Sequence, residues 1–268
     1  MIVSLLSSSW LLSFILVAIP SLAVILGLLY LVRIRFSHED LRKSHDVVGF
    51  TFSIVGVLYS VILGFTVVSL QESYNQTVQA LKTEAFTLAD LYRDAALFEP
   101  ENKNEIRSAL RAYVHHTVEK DWPPQDAPEK QMESQKVIEK IWHSYYPINL
   151  TSERTKIWYA ESISKLDDFL DARLYRKFNS YDHLSSMMWC LLIVGAIITI
   201  SFMFFFGFES MKSQMFMTAL LVGYLTFMLN LVYSLDHVYR GSEGIKPTAL
   251  VQILKLFDRW DQASSLSN

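Results

Sequence analysis

One short stretch of the sequence has histidine and carboxylate side chains at the spacing of metal ligands. His115, His116 and Glu119 fall three or four positions apart within a stretch that predicts a helix, which would place these side chains on neighbouring turns. A protein metal site normally draws further ligands from a second cluster, and the sequence shows none beside this one. The pattern therefore favours a solvated helix face, and we predict neither a metal ion nor another cofactor.

The usual sequence signatures of enzymes are absent. The chain has no phosphate-binding loop, nucleophile elbow, zinc-protease histidine pair or dinucleotide-binding glycine pattern. Its single cysteine, Cys190, leaves no intrachain disulfide or cysteine-based metal site. No basic stripe with interleaved aromatic residues suggests nucleic-acid binding. We therefore predict no catalytic residues, no enzymatic activity and no nucleic-acid partner.

Apolar residues are concentrated in long runs. The chain has 268 residues, of which 51% are hydrophobic, and a formal net charge of −3. A helix needs roughly 20 apolar residues to cross a bilayer core of about 30 Å. Four runs reach this length without a charged residue, at 10–32, 47–70, 187–206 and 215–235. We predict four transmembrane helices, with the lipid bilayer as one partner.

The polar remainder of the chain also has helical periodicity. Between the hairpins 1–70 and 185–236 lies a segment, 71–184, in which apolar residues recur every three or four positions, as in amphipathic helices. The last part, 237–268, predicts an amphipathic helix and a tail. The predicted fold class is all-α, a polytopic membrane protein with an interposed helical soluble domain. Basic residues flank the spans on both sides, so the positive-inside rule leaves the orientation open.

The second predicted span has one face of very small side chains. Successive residues of a helix turn by about 100°, so these positions fall within roughly 80° of one another. Polar residues continue the face beyond both ends of the span. The small residues are Gly49, Ser53, Gly56, Ser60 and Gly64, and the polar ones are His45, Asp46, Gln71 and Tyr74.

Two interpretations of this face remain open. Small residues four positions apart allow close packing of membrane helices, so the face is either a seam between helices or one wall of an ion path. As a path, the small residues would set the bore and apolar neighbours would gate it by dewetting. Tyr59 and Leu63 are the predicted constriction, and the polar residues at both ends are the predicted mouths. His45 would then make conduction sensitive to pH, because imidazole titrates near pH 6.5.

Several polar residues near the spans form a possible network. Asn230 lies within the fourth span and needs a hydrogen-bond partner there. Asp236 follows that span, and for both residues interhelical hydrogen bonding at a helix terminus is favoured over a pore mouth or relay in which Asp236 pairs with Arg240 or His45.

The charged residues Glu84, Asp90 and Arg93 lie on the extension of the second helix. For Glu84, a structural ion pair with Arg93 or Arg111 is favoured over a ring of charges along an ion path.

Several segments resemble the bestrophin-like domain family of bacterial membrane proteins. The resemblance extends from about residue 40 to residue 258 and includes the segments "HDVVGFTFSIVGVLYSVILGFTVVSLQESY" and "LDHVYRGSEGIKP". The residues that carry it are His45, Asp46, Gly56, Gly64, Glu84, Leu91, Tyr92, Arg93, Trp122, Pro123, Asp236, Gly241 and Pro247.

The resemblance implies an ion channel. Bestrophins are pentameric anion channels in which the second transmembrane helix lines the pore, and a helical cytosolic domain separates the second and third spans. By this likeness we expect a homo-oligomer, a pentamer or else a tetramer, that conducts small ions and has its soluble domain in the cytosol. Ion selectivity stays open, with anions favoured. The alternative is a non-conducting scaffold or sensor whose soluble domain binds a protein partner.

Overall fold

The described part of the chain is entirely helical. A computed structural model describes residues 10–36, 45–124, 128–241 and 244–266, and no strand occurs among them. The helices are α1 (Trp10–Arg35), α2 (His45–Asp94), α3 (Pro100–Glu119), α4 (Pro128–Tyr145), α5 (Glu153–Asn179), α6 (Ser186–Phe205), α7 (Met211–Asp236) and α8 (Thr248–Leu266), with a 3₁₀ turn at Ala95–Leu97. The predicted fold class is therefore confirmed.

Four of these helices are long and apolar enough to cross a membrane. They are Leu11–Arg35, Asp46–Leu97, Ser186–Phe205 and Met211–Asp236. Each contains most or all of one predicted span, so the four-span prediction is confirmed. The second helix continues without a break well beyond its apolar part, to Asp94.

The chain divides into two compact units. Met1–Tyr74 and His183–Gly244 form the first, which holds the apolar spans. Asn75–Asp182 and Ile245–Asn268 form the second, so the C-terminal helix α8 belongs to the same unit as the central polar segment. We call these the membrane unit and the soluble unit.

The core of the membrane unit is built from α2, α6 and α7. Tyr59, Leu63, Leu192, Leu225 and Val232 are among its buried members. The Tyr59 hydroxyl donates to the Leu192 carbonyl oxygen at 3.1 Å, which gives this buried phenol a hydrogen-bond partner.

Helix α1 packs on α7 in the same unit. Phe14 and Phe227 meet edge to face with centroids 5.8 Å apart. The Asn230 amide donates to the Ser13 hydroxyl at 3.2 Å, which provides the partner that an amide in a membrane span requires.

The soluble unit has an aromatic and aliphatic core. Helices α3 and α4 pack together, and Tyr113 meets Phe169 of α5 edge to face at 5.0 Å. Helix α8 packs on α3 and stacks Phe257 on Tyr92 at 3.8 Å. Of the two placements that an amphipathic helix allows, on the protein or on the membrane surface, α8 has the first.

Candidate functional site

The membrane part of α2 buries one side within the protomer. Tyr59, Leu63, Thr66 and Leu70 are each less than 10% exposed. Their spacing of three or four residues places them on one face. Tyr59 and Leu63, predicted as a pore constriction, therefore contact the protomer's own core rather than a free surface.

The small-residue face lies beside this buried side. Ser53, Ser60 and Gly64 are exposed, and Gly49 and Gly56 are partly buried. A Cβ atom placed on Gly56 or Gly64 would meet no atom within 4 Å, and one on Gly49 would meet only Phe206, at 3.8 Å. Within the described part of the chain, no other helix packs closely against this face at Gly56 or Gly64.

The hydroxyl groups of this face are satisfied within α2 itself. Ser53 donates to the Gly49 carbonyl oxygen at 2.9 Å, and Ser60 donates to the Val57 carbonyl oxygen at 2.8 Å. The face therefore needs no further polar partner inside a membrane, yet it keeps hydroxyl oxygens that can accept from water. This combination suits the wall of a membrane path that water enters intermittently.

A third side of α2 has large apolar residues. Phe50, Val57, Phe65 and Val68 are between 63% and 73% exposed. Such residues suit lipid tails or a neighbouring subunit. The small-residue face thus lies between a buried side and an exposed apolar side.

The predicted mouth residues lie at the two ends of this segment. Asp46 and Gln71 are exposed and Tyr74 is half-buried. The side chain of His45 lies outside the described residues.

The residues of the possible polar network are distributed over both compact units. Glu84 is fully buried in the soluble unit, where it accepts from Arg176 and Tyr113. Arg93 is exposed and forms ion pairs with Asp90 and Asp94. Neither of the partners expected for Glu84 contacts it.

The remaining members of that set lie in the membrane unit. Asn230 bonds Ser13, as described above. Asp236 is 4% exposed, and its two carboxylate oxygens accept from the Leu184 amide at 2.6 Å and the Trp189 indole at 3.2 Å. Arg240 is exposed and forms no ion pair with Asp236.

The buried charge cluster of the soluble unit was missed by sequence reasoning. Arg173 and Arg176 of α5 are both buried, and Arg173 donates to Ser134, which in turn donates to Asp121 at 3.3 Å. Burial raises the pKa of Tyr113, and the Glu84 carboxylate raises it further, so this phenol stays protonated as a donor. The signal in the sequence that could have indicated this cluster was the presence of arginine on the apolar face of a predicted helix.

The histidine and glutamate spacing on α3 does not form a ligand set. His115 contacts Glu119 of its own helix at 3.4 Å, whereas His116 faces Glu133 of α4 at 3.7 Å. The two imidazoles therefore have different neighbours.

The fold and the four apolar helices define a class of membrane protein with a bestrophin architecture. A crystal structure of a bacterial bestrophin homologue from Klebsiella pneumoniae aligns with a TM-score of 0.70 at 14% identity, over 91% of this chain and 96% of that one. Another of a homologue from that organism gives a TM-score of 0.69 at 12% identity, covering 90% and 98% of the two chains. A third structure of a homologue from that organism, phased with zinc, gives a TM-score of 0.67 at 14% identity and covers 89% of this chain and 96% of that one.

The family is shown by the sequence as well. The bestrophin-like domain family matches residues 19–250, and the chain belongs to that family. A comparison with curated proteins finds no match.

Proposed function

We propose that this protein is a homo-oligomeric ion channel in which α2 lines the pore. The observation that carries the proposal is the small-residue face of α2, which no other helix among the described residues covers at Gly56 and Gly64. Membership in the bestrophin-like family supports the same function, because bestrophins are channels with this order of spans.

The proposed pore wall consists of the small residues alone. Tyr59 and Leu63 pack inside the protomer, so we assign them to holding α2 in place rather than to the constriction. The proposed wall is Gly49, Ser53, Gly56, Ser60 and Gly64, and the proposed mouths are His45, Asp46, Gln71 and Tyr74.

Exposed apolar residues of the soluble unit support self-association. Phe86, Ile157 and Phe178 are 65% to 67% exposed although they lie outside the apolar spans. Large exposed apolar side chains on a soluble surface suit a protein interface. We propose a pentamer in a bacterial inner membrane, with the soluble unit in the cytosol and anions as the favoured ions.

A packed seam is the competing role for the same face. Small residues at this spacing also let two membrane helices approach closely, in which case the protein would be a non-conducting scaffold or sensor. The two roles respond differently to a large side chain. In a pore wall it obstructs ions and leaves assembly intact, whereas in a seam it overpacks the contact and disrupts assembly.

Ion flux from proteoliposomes tests the proposal. Chloride, potassium and sodium gradients are compared for the wild type, Gly56→Leu and the control Gly27→Leu, since Gly27 of α1 has equally open surroundings. We expect selective flux that Gly56→Leu abolishes and Gly27→Leu retains, with all three proteins of equal size in detergent. An absence of flux from a stable wild-type oligomer would refute the channel, and dissociation of Gly56→Leu alone would favour the seam.

A further inference from the structure

Two histidines and a buried aspartate meet where α7 ends. His183 lies in the connection before α6, and Asp236 and His237 lie at the end of α7. One possible ligand atom from each residue lies within 4.8 Å of the other two. All three belong to the membrane unit, just beyond its apolar spans.

A main-chain carbonyl oxygen accepts a hydrogen bond from one nitrogen of each imidazole ring. His183 Nδ1 lies 2.8 Å from the Asp236 carbonyl oxygen, and His237 Nδ1 lies 3.2 Å from the Tyr233 carbonyl oxygen. A carbonyl oxygen can only accept, so each Nδ1 is the donor, and in the neutral ring the lone pair then lies on Nε2. Metal-binding histidines are commonly held in this way, with the other ring nitrogen donating to a carbonyl or carboxylate.

The two rings are close and nearly parallel. Their centroids are 4.7 Å apart and the planes differ by 23°. His183 is exposed and lies in a connection rather than a helix, so its side chain can turn. Ligand atoms around zinc lie about 3.3 Å apart, because each bond is about 2.0–2.1 Å long. Binding one ion therefore requires the ligand atoms to move closer together, and His183 has the most exposed of the three side chains.

Asp236 supplies a fixed negative charge. Its carboxylate is held by the Leu184 amide and the Trp189 indole, and among the described residues its only ion-pair neighbour is His237, at 3.6 Å. Each carboxylate oxygen has a second lone pair for a further bond. A buried carboxylate beside two imidazole rings favours a cation at this place.

We propose that His183, Asp236 and His237 form a binding site for a divalent transition-metal cation of the zinc class. Two imidazole nitrogens and one carboxylate oxygen suit zinc, whereas calcium and magnesium prefer oxygen ligands alone. Water would fill the remaining coordination positions. The bound ion would tie the connection before α6 to the end of α7. This site goes beyond the proposed channel function and does not depend on it.

Zinc titration of the full chain tests the site. The protein is purified in detergent, stripped with a chelator and titrated with Zn²⁺ in competition with a chromophoric chelator. His183→Phe and His237→Phe keep a flat ring in the stack but remove the ligand nitrogen, and His143→Phe is the control because His143 is an exposed residue of α4. We expect one Zn²⁺ per chain, an affinity lowered at least about tenfold in the first two variants, and no change in the control.

Chemical modification of the wild type provides a second test that needs no folded variant. Diethylpyrocarbonate modifies accessible imidazoles, and peptide mass spectrometry locates the products. We expect Zn²⁺ to protect His183 and leave His143 reactive. The site is refuted by a wild type that binds no Zn²⁺, by equal modification of His183 with and without Zn²⁺, or by binding that depends on His115 instead.

Discussion

The Arg176 guanidinium donates two hydrogen bonds to the Glu84 carboxylate, at 2.5 Å and 3.1 Å, with both side chains completely buried. The Tyr113 hydroxyl donates a third to the same carboxylate at 2.5 Å. Glu84 lies on the long helix α2 and Arg176 on α5, so the ion pair joins two helices of the soluble unit. A pair of this kind fixes the register of the helices that it joins.

Removing one charge of this pair should destabilise the protein strongly. In Glu84→Gln the Arg176 guanidinium stays buried without its counter-ion, and we expect a loss of about 3–5 kcal/mol in the free energy of unfolding. Thermal unfolding of the purified protein, followed by circular dichroism, measures it. Lys156→Ala is the control because its ion pair with Glu153 is exposed, and such pairs contribute about 0–1 kcal/mol. Equal unfolding temperatures in the two variants would contradict a structural role for the buried pair.

Local sequence patterns predicted the helices better than they predicted which residues contact each other. The four spans follow from runs of apolar residues, because a bilayer crossing imposes its length on the sequence. The partner of Glu84 lies 92 positions away, and helical periodicity contains no information about contacts at that distance. The sequence therefore favoured an ion pair for Glu84 but did not identify Arg176 as its partner.

The face of α2 illustrates the same limit. A helical wheel shows which residues share a face, but the neighbour of that face depends on tertiary packing. Tyr59 and Leu63 border the small-residue face, yet both are buried in the core of the membrane unit, where α6 contacts Tyr59 at Leu192 and Gly195. The metal-ligand cluster was missed for a similar reason, since His183 precedes Asp236 by 53 positions.

Gly195 of α6 makes room for the Tyr59 ring. A Cβ atom at this position would overlap two ring carbons of Tyr59, and the Tyr59 side chain is buried in the core of the membrane unit. We expect Gly195→Ala to lower the free energy of unfolding by about 1–3 kcal/mol through overpacking. The measurement is the thermal midpoint in a fixed detergent.

Two further variants make that test specific. Gly223→Ala is the matched control, because a Cβ atom there meets nothing within 4 Å. A midpoint for Gly195→Ala at or above that of the control would show that the ring can move aside. The double variant Tyr59→Leu with Gly195→Ala should recover part of the loss, because the smaller side chain leaves space for the added methyl group.

The C-terminal helix is held on the soluble unit by Asp261. This carboxylate accepts from Tyr92 at 2.6 Å, from Arg107 at 3.0 Å and from Arg111 at 2.9 Å. Asp261→Ala removes all three bonds, and bonds to charged groups contribute about 1.5–3 kcal/mol when well made. Since Asp261 is partly exposed, we expect a smaller effect, about 1.4 kcal/mol, or a tenfold faster amide exchange in α8.

Hydrogen exchange with mass spectrometry of peptides from 248–266 measures this effect. Lys255→Ala is the control, because Lys255 is an exposed residue of the same helix. Unchanged exchange in Asp261→Ala would mean that other contacts, such as the stacked rings of Phe257 and Tyr92, dock α8 without Asp261.

The ion pair between Lys165 and Asp94 should give a defined dependence on pH. The two groups are 2.7 Å apart, and the hydrogen bond to Asp94 raises the pKa of Lys165 above its ordinary 10.5. A raised pKa in the folded state means that the pair contributes its full stability below pH 10.5 and loses it as the pH rises through the folded value. The difference in unfolding temperature between the wild type and Lys165→Met should therefore be constant from pH 7 to about pH 9 and shrink at about pH 11.

Comparing two proteins at each pH cancels the titration of the other lysines and tyrosines. The control variant Lys140→Met, which alters an exposed lysine of α4, should show no such change. A difference that grows with pH would mean that Lys165 is held in its neutral form, contrary to the contact with Asp94.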